Sequence, residues 1–242
     1  MTATVIIPTT GTPELRKAVE SVLNQTYDTQ CYVVIDGDQY TNQSWDVLND
    51  FHKFFIDIHK NNKLKISKLP INVGANGFYG HRIYAAFTHL INTDYVLYLD
   101  QDCWFEPNHV QSCIEKIEKN KLDWSYSLRL ITDKKGNYIC EDNCESLGKW
   151  QTYHGINHID TNNYCIPTKT AIRLASAWHG GWGQDRVWFQ TLATHFKNFD
   201  CTGEYTVNYR VDGNAGSVNA DFFKNGNDIM NGKYKGVFPW KK

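Results

Sequence analysis

Three apolar runs of strand length punctuate the first hundred residues. Thr4-Val-Ile-Ile-Pro8 closes on proline, Gln30-Cys-Tyr-Val-Val-Ile-Asp36 ends in an acid before a Gly37-Asp38 turn, and Tyr95-Val-Leu-Tyr-Leu99 runs into Asp100-Gln-Asp102. Runs this continuous, rich in β-branched and aromatic types, predict strands covered on both faces of a parallel sheet. Between them the period becomes helical. Leu15, Val19, Val22 and Leu23 share one face of a helix opened by Thr12 as N-cap and Pro13 at its first position. Val47, Leu48, Phe51, Phe55 and Ile58 form the stripe of a second helix over Trp45 to His59. Leu64-Lys-Ile-Ser-Lys-Leu69 alternates, as an edge strand does. Asn72-Val-Gly-Ala-Asn-Gly77 reads as a loop, and Phe78 to Ile91 as a helix leading into the Tyr95 strand.

The second half is less regular. Pro107 to Asn120 predicts an amphipathic helix, and Asp123 to Asn137 a strand running into a Lys-Lys-Gly-Asn turn. Tyr138 to Tyr164 is irregular, Lys169 to Trp178 and Asp185 to Phe196 are helical, and Tyr205 to Val211 alternates as a strand. From Asp212 the chain becomes a Gly/Asn-rich tail. Strand and helix in alternation imply right-handed parallel crossovers. The expected class is α/β, a mainly parallel Rossmann-like central sheet flanked by helices, with a mixed α+β second half. Length fits one domain over residues 1–242, divided at about residue 110.

Composition narrows the function. With 41% apolar and 21% charged residues the chain is foldable, and a net charge of -1 argues against nucleic acid as a partner. The short basic cluster from Lys60 to Lys68 reads as a solvated strand face. No apolar run approaches the roughly 20 residues that cross a bilayer, and the N-terminus lacks the pattern of a secretion signal. Cytoplasmic location is the expectation, with peripheral membrane contact left open. The seven cysteines are scattered without the two pairs of a zinc site, so reduced thiols are expected.

The chemistry gathers at Asp100 and Asp102. Two acids one residue apart, at the carboxyl end of a buried strand, occupy the place where open α/β sheets bind ligands. Their mutual repulsion is relieved by a hard divalent cation such as Mg²⁺ or Mn²⁺ shared with substrate phosphates. An Asp-x-Asp pair elsewhere would read as a helix cap and a solvated turn.

Val5-Ile-Ile-Pro-Thr9, Ala18-Val-Glu-Ser-Val-Leu-Asn-Gln-Thr-Tyr27, Val34-Ile-Asp-Gly37, Asn72-Val-Gly74 and Leu99-Asp-Gln-Asp102 follow one another in an order that resembles family 2 glycosyltransferases of the GT-A fold. The resemblance is strong from Thr4 to Val110 and continues only at Gly183-Gln-Asp-Arg186. It implies transfer of a sugar, usually with inversion, from a nucleotide diphosphate sugar, with a UDP-sugar expected, to a carbohydrate acceptor, aided by Mn²⁺ or Mg²⁺. Residues 1–110 would then be the donor half, and 111–242 the acceptor half with its tail. Pro8, Thr9 and Thr10 would line base and ribose, with Asn72, Gly74 and Gln101 beside them. Asp36 would hydrogen-bond the base. Asp100 would sit near ribose or metal, and Asp102 would hold the metal on the diphosphate. Arg82 falls where the family often has an Arg, at loose spacing, and a helix-surface reading serves it equally.

Many relatives carry Glu-Asp where this chain has Gln184-Asp185, which leaves Asp185 as the expected catalytic base. Gly180, Gly181 and Gly183 permit a tight turn aiming the next helix into the cleft, although an acid there also suits the helix dipole. Trp182, Gly183 and Arg186 would meet the acceptor. Of Trp178, Trp182 and Trp188, the glycine-flanked Trp182 is the one expected at the surface. His154, His158 and His179 are candidate third metal ligands, and Asp160-Thr-Asn-Asn163 precedes a short strand that could border the acceptor pocket. Two other readings stay open, a nucleotidyltransferase acting on sugar phosphates and a non-catalytic carbohydrate-binding protein.

Overall fold

A computed structural model of the chain describes residues 1–55, 63–212 and 218–241. Ile58, His59, Lys60, the Phe55 side chain and the first glycines of the tail lie outside the described residues. The first half is built from β1 (Ala3–Thr9), α1 (Leu15–Leu23), β2 (Thr29–Ile35), α2 (Thr41–Phe55), β3 (Leu64–Lys68), α3 (His81–Phe87), β4 (Tyr95–Tyr98) and β5 (Trp104–Phe105). The second holds α4 (His109–Asn120), β6 (Trp124–Thr132), β7 (Tyr138–Glu141), β8 (Tyr164–Pro167), α5 (Thr168–Leu174), α6 (Gln184–His195), β9 (Phe199–Arg210) and α7 (Ala220–Tyr234).

Among the described residues one sheet runs β3-β2-β1-β4-β8-β6-β9-β5, with β7 added on β6. β3, β2, β1 and β4 are parallel, and β8 runs antiparallel to both β4 and β6. β1 explains the continuous apolar runs. Val5 and Ile7 face one core cluster with Leu15 and Val110, while Ile6 between them faces the other with Tyr84 and Trp178. Pro8 is tolerated in this central strand because β4 pairs only as far as Ile6↔Tyr98, so the missing N–H leaves no ladder bond unmade. The gap that opens there, at the carboxyl ends of β1, β2 and β4, is the cleft. The reversed β8 brings the residues just before it, Asp160 to Asn163, to the same edge.

Several boundaries differ from expectation. α1 starts at Leu15, with Glu14 at its N-cap and no side-chain cap, because Thr12 and Pro13 form a turn in which the Thr12 carbonyl accepts from the Leu15 N–H at 3.1 Å. α3 starts at His81, since Phe78 and Tyr79 donate backwards to the Gly74 carbonyl in a turn. The tail is not wholly irregular. Asn219 caps α7 by accepting from the Phe222 N–H, and Phe223 and Met230 are buried. Its glycine at 226 suits a close approach, because a Cβ there would stand 2.7 Å from Cys144 Sγ. Residues 142–147, read from sequence as irregular, are irregular and buried. All seven cysteines are free thiols, six buried and Cys140 half-buried. No helix among the described residues is long and apolar enough to cross a membrane.

Candidate active site

A cleft of about 710 Å³ lies over the strand ends. On its first-half wall, Asp36 is 4% exposed and grips backbone: its carboxylate accepts from the Val73 N–H at 2.7 Å and the Gly74 N–H at 2.9 Å. Burial raises its pKa, against those two hydrogen bonds. Gly74 is required there, because an added Cβ would fall 2.2 Å from the Tyr79 carbonyl oxygen and 2.6 Å from Asp36. Asn72 donates to the Tyr40 hydroxyl at 3.2 Å, and its buried Oδ1 meets no donor. Gln101 ties the loop after β4 to the loop after β1, accepting from Thr9 Oγ1 at 2.6 Å and the Thr10 N–H at 3.0 Å. Thr10 also accepts from Gln101 Nε2 at 3.1 Å.

At the centre, Asp100 accepts from the Tyr84 hydroxyl at 2.9 Å and from Asn162 Nδ2 at 3.0 Å, while its own N–H donates to Asn162 Oδ1 at 2.6 Å. Burial, with the charges of Asp160 and Asp102, pushes its carboxyl up to about 7. Asp102 is also raised by burial, opposed by the Arg210 guanidinium 4.0 Å away. Arg210 in turn pairs with Glu14 at 3.1 Å.

The opposite wall is a buried charge cluster. Arg129, 2% exposed, donates from Nε to Asp142 at 2.7 Å, pairs through Nη1 with Asp160 at 2.9 Å and lies 3.5 Å from Glu145. The Tyr209 ring covers its guanidinium at 4.2 Å. Asp142 additionally accepts the N–H groups of Cys144, Glu145 and Ser146, which folds the irregular segment around it. Next in line, His158 lies 3.8 Å from Glu145 through Nδ1 and 2.6 Å from Asp185 through Nε2. Asp185 sits in the first turn of α6, behind the left-handed Gly183 (φ 80°), and also accepts the Arg186 N–H at 2.9 Å. Burial pushes its carboxyl up, but the hydrogen bond and charge of His158, with Arg186, outweigh that and hold it below the usual carboxylate range.

Sequence and fold agree with what is already known of other proteins. The sequence model of glycosyl transferase family 2 matches residues 4–178. The chain belongs to that family. It is 27% identical over 215 residues to the Escherichia coli UDP-Glc:alpha-D-GlcNAc-diphosphoundecaprenol beta-1,3-glucosyltransferase WfaP, covering 85% of this chain and 74% of that one. Its fold matches S. aureus TarS 1–349, solved in complex with UDP, with a TM-score of 0.65 at 13% identity, covering 98% of this chain. The chain spans 66% of that fragment. The same TarS fragment in complex with UDP-GlcNAc aligns with a TM-score of 0.65, also at 13% identity, over 98% of this chain and 67% of that one. This family 2 protein is therefore a glycosyltransferase of GT-A fold, and the nucleotidyltransferase and non-catalytic readings give way to it.

Of the residues singled out in sequence, Pro8, Thr9, Thr10, Asp36, Asn72, Gly74, Asp100, Gln101, Asp102, Asp185, Trp182, Gly183 and Arg186 all line the one cleft. Arg82 does not. Its guanidinium stacks 3.3 Å from the Phe78 ring and donates to the Val73 carbonyl, so it braces the loop from behind. Trp182 is 77% exposed, while Trp178 and Trp188 stack in the core at 4.8 Å. Among the described residues, no group of three His, Cys, Asp or Glu is arranged to hold a metal ion. His154 packs on Tyr153 and Phe222, His179 lies by Phe78, and His158 is engaged by Asp185. What the site supplies is two crowded carboxylates, which fits a cation completed by water and substrate phosphate rather than an all-protein cage. Arg129, Asp142 and Glu145 went unnoticed in sequence, because an Arg inside a strand and acids in an irregular stretch carry no local signal. Asp160, expected to border the acceptor pocket, is drawn into that cluster by its pairing with Arg129 at 2.9 Å.

Proposed function

We propose that the protein transfers a sugar from a UDP-sugar to a hydroxyl of a glycan acceptor, with inversion and with the help of Mn²⁺ or Mg²⁺. The observation that carries this reading is the placing of Asp185, ionised and fixed by two donors, on the same cleft as Asp36, Asp100 and Asp102. Pro8, Thr9 and Thr10 at the end of β1 would receive the nucleoside together with the free Oδ1 of Asn72, whose loop Asp36 and Gly74 hold in shape. Asp100 and Asp102 would hold the cation, which when bound would offset charge on the departing diphosphate. Asp185 would accept the proton of the acceptor hydroxyl as that oxygen bonds the anomeric carbon. The bond from that carbon to the diphosphate breaks, and its electron pair leaves with the diphosphate. A carboxylate below its usual range is a modest base, and one suffices because the hydroxyl grows acidic as its new bond forms. Trp182 at the rim offers an aromatic face to an acceptor sugar.

The E. coli relative is named for a UDP-Glc donor and a lipid-diphosphate-linked sugar acceptor, which makes a polyprenyl-diphosphate glycan the first acceptor to try. The test is a nucleotide-sugar panel read by thermal stabilisation with and without Mn²⁺. The matching donor at a hundredfold over its Kd adds about 2.7 kcal/mol of stability. Equal stabilisation by all nucleotides, or none by any, would sink the donor reading.

A further inference from the structure

We propose that His158 is a positioning residue for the base, orienting the Asp185 carboxylate through its Nε2–H. This rests on Asp185 being the base. The His158 side chain is 5% exposed and its Nε2 stands 2.6 Å from Asp185 Oδ2. Its Nδ1 is buried without a hydrogen-bond partner among the described residues and lies 3.8 Å from Glu145. Glu145 is itself anchored beside Arg129, which Asp142, Asp160 and the Tyr209 ring fix in place. The buried imidazole is thus confined between Glu145 and Asp185, and its Nε2 aims the carboxylate. Asp185 is left with one oxygen on His158 and the other on the Arg186 N–H, a pair of donors that fixes the plane of the carboxylate. Precise aim matters because a base displaced by about 1 Å can lose about a hundredfold in rate.

The test compares His158→Gln with His158→Asn. A Gln amide N–H reaches the Nε2 position, and an Asn amide stops short of it. We expect Gln to stay within about fivefold of the parent in kcat and Asn to fall about a hundredfold, at unchanged KM for the donor. His158→Phe should fall as Asn does, and none of the losses should recur in an Asp185→Asn background. Equal turnover of the Gln and Asn variants would overturn the proposal, as would a His158 loss that multiplies with that of Asp185→Asn. If Asp185→Asn itself keeps parental turnover, the base reading fails instead. Full loss in Asp185→Asn with parental turnover in His158→Asn sinks the positioning role alone.

Discussion

On the first-half wall of the cleft, side chains hold backbone: the Asp36 carboxylate grips two N–H groups of one loop, and the Gln101 amide stitches two strand-end segments together. On the other side, carboxylates are held by a cation: Asp142, Asp160 and Glu145 surround the single guanidinium of Arg129, and His158 extends the chain to Asp185. The first arrangement is modular, since each contact serves one loop. The second is shared, so removing one member strands the others.

The largest effect separating the two should come from Asp185→Asn. A positioned base contributes about a hundredfold to ten-thousandfold, and Asn still suits a helix start, so turnover should fall on that scale at unchanged melting temperature and nucleotide affinity. Turnover within a few-fold of the parent would end the base assignment. Arg129→Met comes next. Taking one partner from a buried ion cluster costs about 3–5 kcal/mol, so the urea midpoint should drop sharply, and adding Glu145→Gln should cost less than it does alone. Additive losses would dissolve the idea of a shared cluster. Asp36→Ala should be milder, about 1.5–3 kcal/mol of donor affinity for a lost charge-assisted grip, with kcat at saturating donor nearly kept. Isothermal titration with UDP checks it, and unchanged affinity would mean that the Asp36 grip on the loop does not serve nucleotide binding.

A further effect concerns pH. Asp100 binds its proton more tightly folded, at about 7, than an unfolded Asp near 3.9. Between those values the folded chain therefore carries more protons, and this group's contribution to stability declines as pH rises from about 4 to about 7. The melting temperature without added metal should show that decline, and Asp100→Asn should flatten it. Parallel curves for parent and variant would mean that Asp100 titrates normally.

This contrast also explains what could be read in advance. Asp36, Asp100 and Asp102 end hydrophobic runs, so pattern alone placed them at strand ends on one edge. Asp185 follows a glycine turn and opens a helix, which is again a local signature. Arg129 has none: it sits mid-strand in Trp124-Ser-Tyr-Ser-Leu-Arg-Leu, and its partners are 13 and more residues away in a segment with no periodicity. α7 was missed because glycine and asparagine are poor helix formers. Tertiary packing overrides that, with Phe223 and Met230 buried and Gly226 against Cys144.

The free thiols described with the fold have a practical corollary. Alkylation proceeds through the thiolate, and burial pushes Cys113 and Cys201 up to about 12. Burial raises Cys31, Cys103, Cys144 and Cys165 as well. A maleimide should therefore find the native protein almost silent, with Cys140 on β7 reacting first and the other six only when the chain opens. Mass increments counted over time would serve as a clock for unfolding. Because Cys140 reacts in the folded chain, the first increment marks the native protein and the later ones time the opening of the core around the buried thiols.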